Sequence, residues 1–449
     1  MKPLPERRPW RRSPRGAHAP CPGWIAIGQG ALTLGALTLA GCSPLPGADG
    51  LRDPVPGVTA PVRDPDTGPD WIVEDVGSYT LPDDDWVFDP TVIHTMSLRV
   101  EPEAVAALEA DPTAMVEARF TLDGEEIEPV GLRLGGAGPT FRSLAGKPEL
   151  RLQFDAYDPD ARLTGMSALV LDNALEDCSG LKRSIGSALF RQGGVPAQRT
   201  GYGSLTLNGE DFGLYVVVEA ADSAFARRGW ANGTGNLYDG QNLVAEDGSQ
   251  SAVDFQTGLD GGFRLLAGED VALADVLAVT AAIESTLGTP EYDGTTSAVV
   301  HWEAVHRMWA VEEWIGQVDG YFLDHDQYFV YFDPTTGGAE LAPAGLDNSF
   351  NLDGAWGVQW TGPVGRLGLG CLQDGNCAYD QRDATEAFLD SLDLAALTAT
   401  LEAQAALTAD LAVADPRTEC TDEAISTSRA LLSQWLLTRN VLVETRWGL

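Results

Sequence analysis

The hydrophobic period of this chain is mostly two in its first half and mostly three or four in its second, and that shift limits the folds open to it. Up to about residue 218, apolar residues recur mostly at every second position; from about residue 270 they recur every three or four. Val92–Val100, Ala114–Leu122, Pro129–Leu134, Glu149–Phe154 and Ser167–Leu171 read as strands. In Glu149–Phe154 the side chains of Leu150, Leu152 and Phe154 share one face, and Arg151 points the other way. Pro102–Ala110 reads as a short helix begun by Pro and acids, and Cys178–Gln192 as a longer one ended by Gly193-Gly194. Gly203–Val218 predicts a hairpin turning at Asn208-Gly209, whereas Trp230–Asp260 reads mostly as turns. Helices are then expected over Asp270–Leu287, Ala384–Val413 and Glu423–Val443. A further stripe, Val300, Ala304, Met308, Val311, Ile315 and Val318, leads straight into Asp319. Strands first and helices after is an α+β order.

The first 41 residues stand outside this pattern. Lys2, Arg7, Arg8, Arg11, Arg12 and Arg15 precede an apolar run, Trp24–Leu39, and Leu39-Ala40-Gly41-Cys42 is similar to a bacterial lipobox. The expectation is a lipoprotein signal peptide over 1–41 and a lipid on Cys42; a cleaved signal without lipid is the alternative. Residues 42–85, rich in Pro, Gly and Asp, read as a disordered tether. The protein is then expected in the cell envelope, periplasmic or at the cell surface, touching the membrane through that lipid alone. The formal net charge is −37, and the leader takes away more bases than acids. So acidic a chain excludes a nucleic-acid partner, which needs clustered Lys and Arg. An exported chain with Cys178, Cys371, Cys377 and Cys420 beyond the leader suggests two disulfides, with three pairings open. Cys371–Cys377, across the turn sequence Leu-Gln-Asp-Gly-Asn, is the first choice and leaves Cys178–Cys420.

Chemistry concentrates in Val318–Asn351. Asp319 precedes two β-rich segments, Tyr328–Phe332 and Ala339–Ala342, and Asp347 follows them. A hairpin with an acid at each side of its mouth can bring both to one pocket, to hold a hard cation or accept a proton. Upstream, Gly135-Gly136-Ala137-Gly138-Pro139-Thr140 follows a strand, where backbone N–H groups can approach a phosphate closely, and Arg151 could meet the same charge.

The order of these parts resembles a protein-kinase-like fold, and the residues resemble the spore-coat protein H (CotH) kinase family. The likeness is carried by Val130–Gly136, Glu149–Asp155, Leu189–Pro196, Leu207–Glu219 with Asp222, Gly235–Tyr238, Val318–Tyr321 with Gln327–Tyr331, and Pro343 with Leu346–Phe350. Leu431–Leu442 is similar to the family's closing helix. The resemblance implies a two-lobed atypical kinase domain over 86–449, with a strand-rich lobe over 86–222 and a helical lobe over 223–449. It implies ATP and Mg or Mn as cofactors, and phosphoryl transfer to Ser or Thr of a protein substrate. Asp319 would be catalytic. Asp347 would hold metal, with Asp324 or Gln327 in the place of the loop's metal-binding Asn. Gly135, Gly136 and Arg151 would face the phosphates, and Glu219 would lie where a hinge contacts adenine, mainly through backbone.

This chain departs from the family pattern at several positions. Gly135 stands where a Lys is usual and Gly138-Pro139 where serines are. Ala344-Gly345-Leu346-Asp347 replaces Trp-Asp-x-Asp, Gln327 replaces an Asn, and Arg151 offers a fork where Lys offers a point charge. The alternative function is therefore a catalytically degenerate, kinase-like surface module that binds a partner or a structural metal.

Overall fold

A computed structural model describes residues 86–136, 140–244, 250–350 and 363–449. The leader 1–41, the Cys42 lipidation site, the tether 42–85 and Gly138-Pro139 lie outside the described residues. The first half supplies seven strands: β1 (Ile93–Val100), β2 (Val116–Leu122), β3 (Glu125–Leu134), β4 (Leu150–Gln153), β5 (Ala168–Asp172), β6 (Thr200–Leu207) and β7 (Glu210–Glu219). Helix α1 (Pro102–Ala110) joins β1 to β2, and α2 (Lys182–Gln192) joins β5 to β6. The strands close into a barrel in the order β1-β2-β3-β4-β5-β7-β6.

Alternation predicted the strands but not this closure. It is made by a parallel pairing of β1 with β6, from Ile93 opposite Tyr202 to Leu98 opposite Leu207. The Asn-Gly turn explains how that long-range register is held. Asn208 and Gly209 take left-handed backbone (φ 51 and 84). The Asn208 side chain then accepts from the Val100 N–H at 2.8 Å and donates to the Val100 carbonyl at 2.9 Å, tying the turn to the end of β1. Leu98, Phe120, Leu132, Leu152 and Val217 fill the interior. On the other face of β6 and β7, Tyr202, Leu214, Val216 and Val218 belong to a second, larger core. Strand β7 is buried on both sides, which is why it reads as a nearly continuous apolar run.

That larger core is mainly helical. In order come α3 (Ser223–Gly229), β8 (Asn236–Asp239), β9 (Leu243–Val244), β10 (Gln250–Ser251), β11 (Arg264–Ala267), α4 (Ala274–Thr286), α5 (Tyr292–Thr296) and α6 (Trp302–Ile315). Then follow α7 (Tyr321–Asp324), β12 (Tyr328–Phe332), β13 (Ala339–Pro343), α8 (Arg366–Gln373), α9 (Gly375–Ser391), α10 (Leu394–Ala414) and α11 (Asp422–Trp447). A four-stranded sheet, β11-β8-β12-β13, lies within this half. The span expected as turns thus contains β8, β9 and β10. Ala384–Val413, expected as one helical region, is two helices parted at Leu392-Asp393, where the Asp393 carboxylate caps α10 by accepting from the Ala396 N–H at 2.9 Å.

Helix α6 is the centre. Val305, Met308, Trp309, Ala310, Val311, Trp314 and Ile315 are all fully buried, and so are the acidic Glu312 and Glu313 between them, so the helix lies inside the fold on nearly every side. It stops at Gly316, whose left-handed backbone (φ 60) turns the chain toward Asp319; a Cβ there would press on the Trp435 ring. Both disulfides take the first-choice pairing, Cys371–Cys377 and Cys178–Cys420, with Cα separations of 5.0 and 5.6 Å. The second fastens the segment leading into α2 to the segment leading into α11.

Candidate active site

The loop that leaves α6 is held from below by a carboxylate. Glu312 is fully buried, and its Oε1 accepts from the Phe322 N–H at 2.7 Å while the Tyr321 and Leu323 N–H groups also stabilise its charge. It therefore serves the exposed donors at the start of α7. Gly320 is required where it stands, since a Cβ would fall against this carboxylate. Burial nevertheless pushes Glu312 up to about 8, with the charge of Asp319 adding to the effect. Gln317, also buried, donates to the Ala344 carbonyl at 2.7 Å and so joins this loop to the chain leaving β13.

The two acids that flank the hairpin come together at its mouth. Asn348 donates from Nδ2 to Asp319 Oδ2 at 3.2 Å, and Asp319 Oδ1 is buried without a partner. Burial first, then the neighbouring Asp347, pushes Asp319 up to about 8. Asp347 Oδ1 accepts from Arg183 on α2 at 3.0 Å, and the same guanidinium nitrogen reaches Asp172 Oδ2, at the end of β5, at 2.7 Å. Burial, together with Asp347 and Glu149 and against the pull of Arg183, raises Asp172 to about 6. Arg183 keeps its charge despite burial, held by Asp172, Asp347, Glu149 and Asp319. At the rim, partial burial and Asp347 raise Glu176, which also bonds to Asn348.

Opposite this acidic wall stand the residues expected to face phosphate. Gly135 donates its N–H to the Glu149 carbonyl at 2.9 Å, and Gly136 has left-handed backbone (φ 81). A side chain at 135 would run into the Glu149 carboxylate, which instead binds Arg151 Nε at 2.7 Å. Arg133 lies directly across the β3–β4 ladder from Arg151, and Arg264 of β11 is close enough to act on it; burial and these two like charges lower its pKa. Arg133 makes no hydrogen bond or ion pair among the described residues, while Arg264 is paired with Asp239. Arg133, Arg151 and Arg264 thus cluster with two carboxylates, Glu149 and Asp239, which leaves one guanidinium more than those acids pair.

The remaining expected residues are placed differently. Asp324 is exposed at the end of α7, and it is Asp326 whose charge reaches Asp319. Asp326 Oδ1 accepts from the Asn242 and Gln327 N–H groups at 2.7 and 2.9 Å. Gln327 Oε1 accepts from Gln241 Nε2 at 2.7 Å, and the side chain lies over Gly345, where any Cβ would collide with it. Two departures from the family pattern are thus one fitted pair: the longer Gln327 fills the space that a residue at 345 would need. Glu219 is buried, its carboxylate shared by Arg199 and Arg228 at 2.8 and 2.7 Å and its N–H given to the Arg199 carbonyl at 3.0 Å. Those bonds commit it to holding β7 and α3 together.

Sequence reasoning missed Asp172, Glu176, Arg183, Glu312 and Asn348. Asn348 adjoins a residue already singled out; the others sit on a strand end, a loop and two helices that only the tertiary fold brings together. Among the described residues the one compact set of three metal-type side chains is His306, Cys371 and Cys377. Its sulfurs are joined in a disulfide and are not ligands. The cleft acids surround Arg183 instead. These acids do not by themselves close into a compact ligand set; Asp347, with Glu176 at the rim, is the carboxylate that could hold a hard cation whose shell phosphate oxygens would complete.

The sequence model for the CotH kinase protein family matches residues 135–387, more than half of the chain. No curated protein matches it. Among solved structures, one similar chain comes from the Shewanella oneidensis MR-1 toxin–antitoxin system HipA, HipB and its operator DNA complex. It is 13% identical, with 78% of this chain and 74% of that chain covered and a TM-score of 0.30.

Two predictions follow from the geometry. Between pH 4 and 8 the folded chain keeps a proton on Asp319 that the unfolded chain has lost, so this residue costs stability as pH rises through that window. Asp319→Asn should then stabilise the fold by on the order of 1–3 kcal/mol at pH 8 and by less at pH 5, seen as a raised thermal midpoint. Circular dichroism melts at the two pH values check this, and an equal shift at both would count against it. Gly345→Asp should destabilise by about 1–3 kcal/mol through the collision with Gln327, in addition to strain at φ 47. Gly345→Asp combined with Gln327→Asn should recover part of that loss in the same melts.

Proposed function

The chain belongs to the CotH kinase protein family, and on that footing we propose that it transfers a phosphoryl group from ATP to a Ser or Thr hydroxyl of a protein, with Mg or Mn bound. The observation that carries this is the meeting of Asp319 and Asp347 at the hairpin mouth, where Asn348, the residue after Asp347, donates to Asp319 and the other Asp319 oxygen is buried without a partner. Bound ATP with its divalent ion supplies the transferable phosphoryl group and neutralises charge that develops during transfer. Asp319 orients the acceptor hydroxyl and, once ionised, takes its proton; burial and Asp347 hold Asp319 up to about 8 in the free cleft, and a cation on Asp347 would lower it toward neutral pH. Asp347 holds the cation. Arg133, Arg151 and Arg264 attract the phosphates, and Gly135 lets the chain pass close to them. Glu312 fixes the backbone from which Asp319 projects.

A second reading, a kinase-like module that binds without transfer, is favoured by Arg183 on the Asp347 carboxylate and by the side chains that fill the places beside Gly135 and Gly345. Residues 43–449 separate the two readings by calorimetry and radiolabel transfer. ATP should bind only with Mn or Mg, and Asp347→Ala should weaken binding roughly tenfold or more. Asp319→Ala should bind ATP normally yet lose transfer by about 10²–10⁴-fold. Binding without transfer in the wild type establishes the second reading, and absence of metal-dependent binding removes the first.

The leader and Cys42 support an exported, lipid-anchored protein of the cell envelope. Among the described residues no helix is long and apolar enough to cross a membrane. In a bacterial host the mature chain should incorporate labelled fatty acid, and Cys42→Ala should not; equal labelling of both would contradict the anchor.

A further inference from the structure

Protein kinases commonly hold two divalent ions over the phosphates, with one aspartate shared between them. In this cleft one of those places is already filled by a side chain. Arg183 donates to Asp347 Oδ1 at 3.0 Å and to Asp172 Oδ2 at 2.7 Å, and its side chain is only 15% exposed. Asp172 is 6% exposed and lies at the end of a barrel strand; nothing in the proposed transfer uses it. Its position accounts for the arginine: one buried acid fixes the guanidinium, and the guanidinium then occupies half of Asp347.

Charge leads to the same place. Arg183 already stands as one positive charge between Asp172 and Asp347, so a single divalent ion suffices for the carboxylate charge that Asp347 and Glu176 leave in the cleft before any nucleotide arrives. A second would have to take Asp347 Oδ1 from Arg183, leaving the buried guanidinium with Asp172 as its remaining acid and another cation beside it, an expensive state. Arg183 Nε is already buried without a partner, so the group has no spare bond with which to compensate. The geometry points to Arg183 as a resident cation, fixed by Asp172, that replaces the second metal, so the cleft takes one divalent ion with its nucleotide. This rests on the metal- and nucleotide-binding reading above.

The test counts ions, with no need for turnover. Residues 43–449 are saturated with a non-hydrolysable ATP analogue and titrated with Mn2+, and bound ion is measured by electron paramagnetic resonance and calorimetry. The wild type should bind one Mn2+ per chain, without the spin coupling of a neighbouring pair. Arg183→Gln should bind two. Should that variant fail to fold by circular dichroism, Asp172→Asn combined with Arg183→Gln removes the buried charges together and carries the same expectation. Two ions in the wild type, or one in the folded variant, would overturn the inference while leaving the nucleotide reading intact. No Mn2+ in the wild type would overturn both.

Discussion

Arg183 is the interaction on which the cleft depends. It is carried by α2, yet it binds the last residue of a barrel strand and the acid that follows the β12–β13 hairpin. Without it, Asp172 and Asp347 would face each other from two separately packed regions with nothing to balance them, and breaking a buried pair of this kind costs about 3–5 kcal/mol. The bridge thus gives the strand-rich and helical halves a fixed relation at the one place where chemistry is proposed. It also explains why α2 belongs to the helical core although its sequence lies between barrel strands. Leu181, Ile185 and Leu189 pack there, and that packing delivers the guanidinium.

Around this bridge, the departures from the family pattern are locally consistent. Gly135 leaves room for the Glu149 carboxylate, which takes Arg151, and Gly345 leaves room for Gln327, which takes Gln241. At these two positions a neighbouring side chain stands where the family's polar group would lie. Such matched pairs show a cleft packed around its own residue set, so restoring one family residue alone would meet a side chain already in place.

Much of this was legible in the sequence. Alternation located β1 to β7, with Leu150, Leu152 and Phe154 on the inner face, and the three- and four-residue spacing located α6 and α11. The hairpin between Asp319 and Asp347 was legible too, because turn chemistry and β-branched or aromatic runs are local signals. Barrel closure was not, since a parallel pair separated by a hundred residues leaves no local trace; only the Asn208 bonds to Val100 reveal how it is held. The helix break at Leu392-Asp393 was hidden because apolar spacing continues on both sides of it. Arg183, Asp172 and Glu312 were hidden for the reason that most site residues are: each lies in an ordinary strand or helix, and only tertiary packing aims it at the cleft.

Holding acids in a partly dry cleft is destabilising, and the fold offsets it with ties from the far end of the chain. The segment between α10 and α11 grips the stretch that follows the glycine turn. Asp415 forms a buried pair with Lys147 at 2.6 Å, Arg417 donates to the Leu144 and Gly146 carbonyls at 3.0 and 2.8 Å, and Glu419 binds Arg142. One residue further on, Cys420 is bonded to Cys178, which lies between Glu176 and Arg183. A single C-terminal strap therefore steadies the stretch after the glycine turn and the acidic wall at once. The disulfide closes a very long loop, which removes most freedom from the unfolded chain. The electrostatic arrangement at Asp319 and Asp347 is thus a property of the whole domain, and the strap is whole only where the Cys178–Cys420 bond stays oxidised.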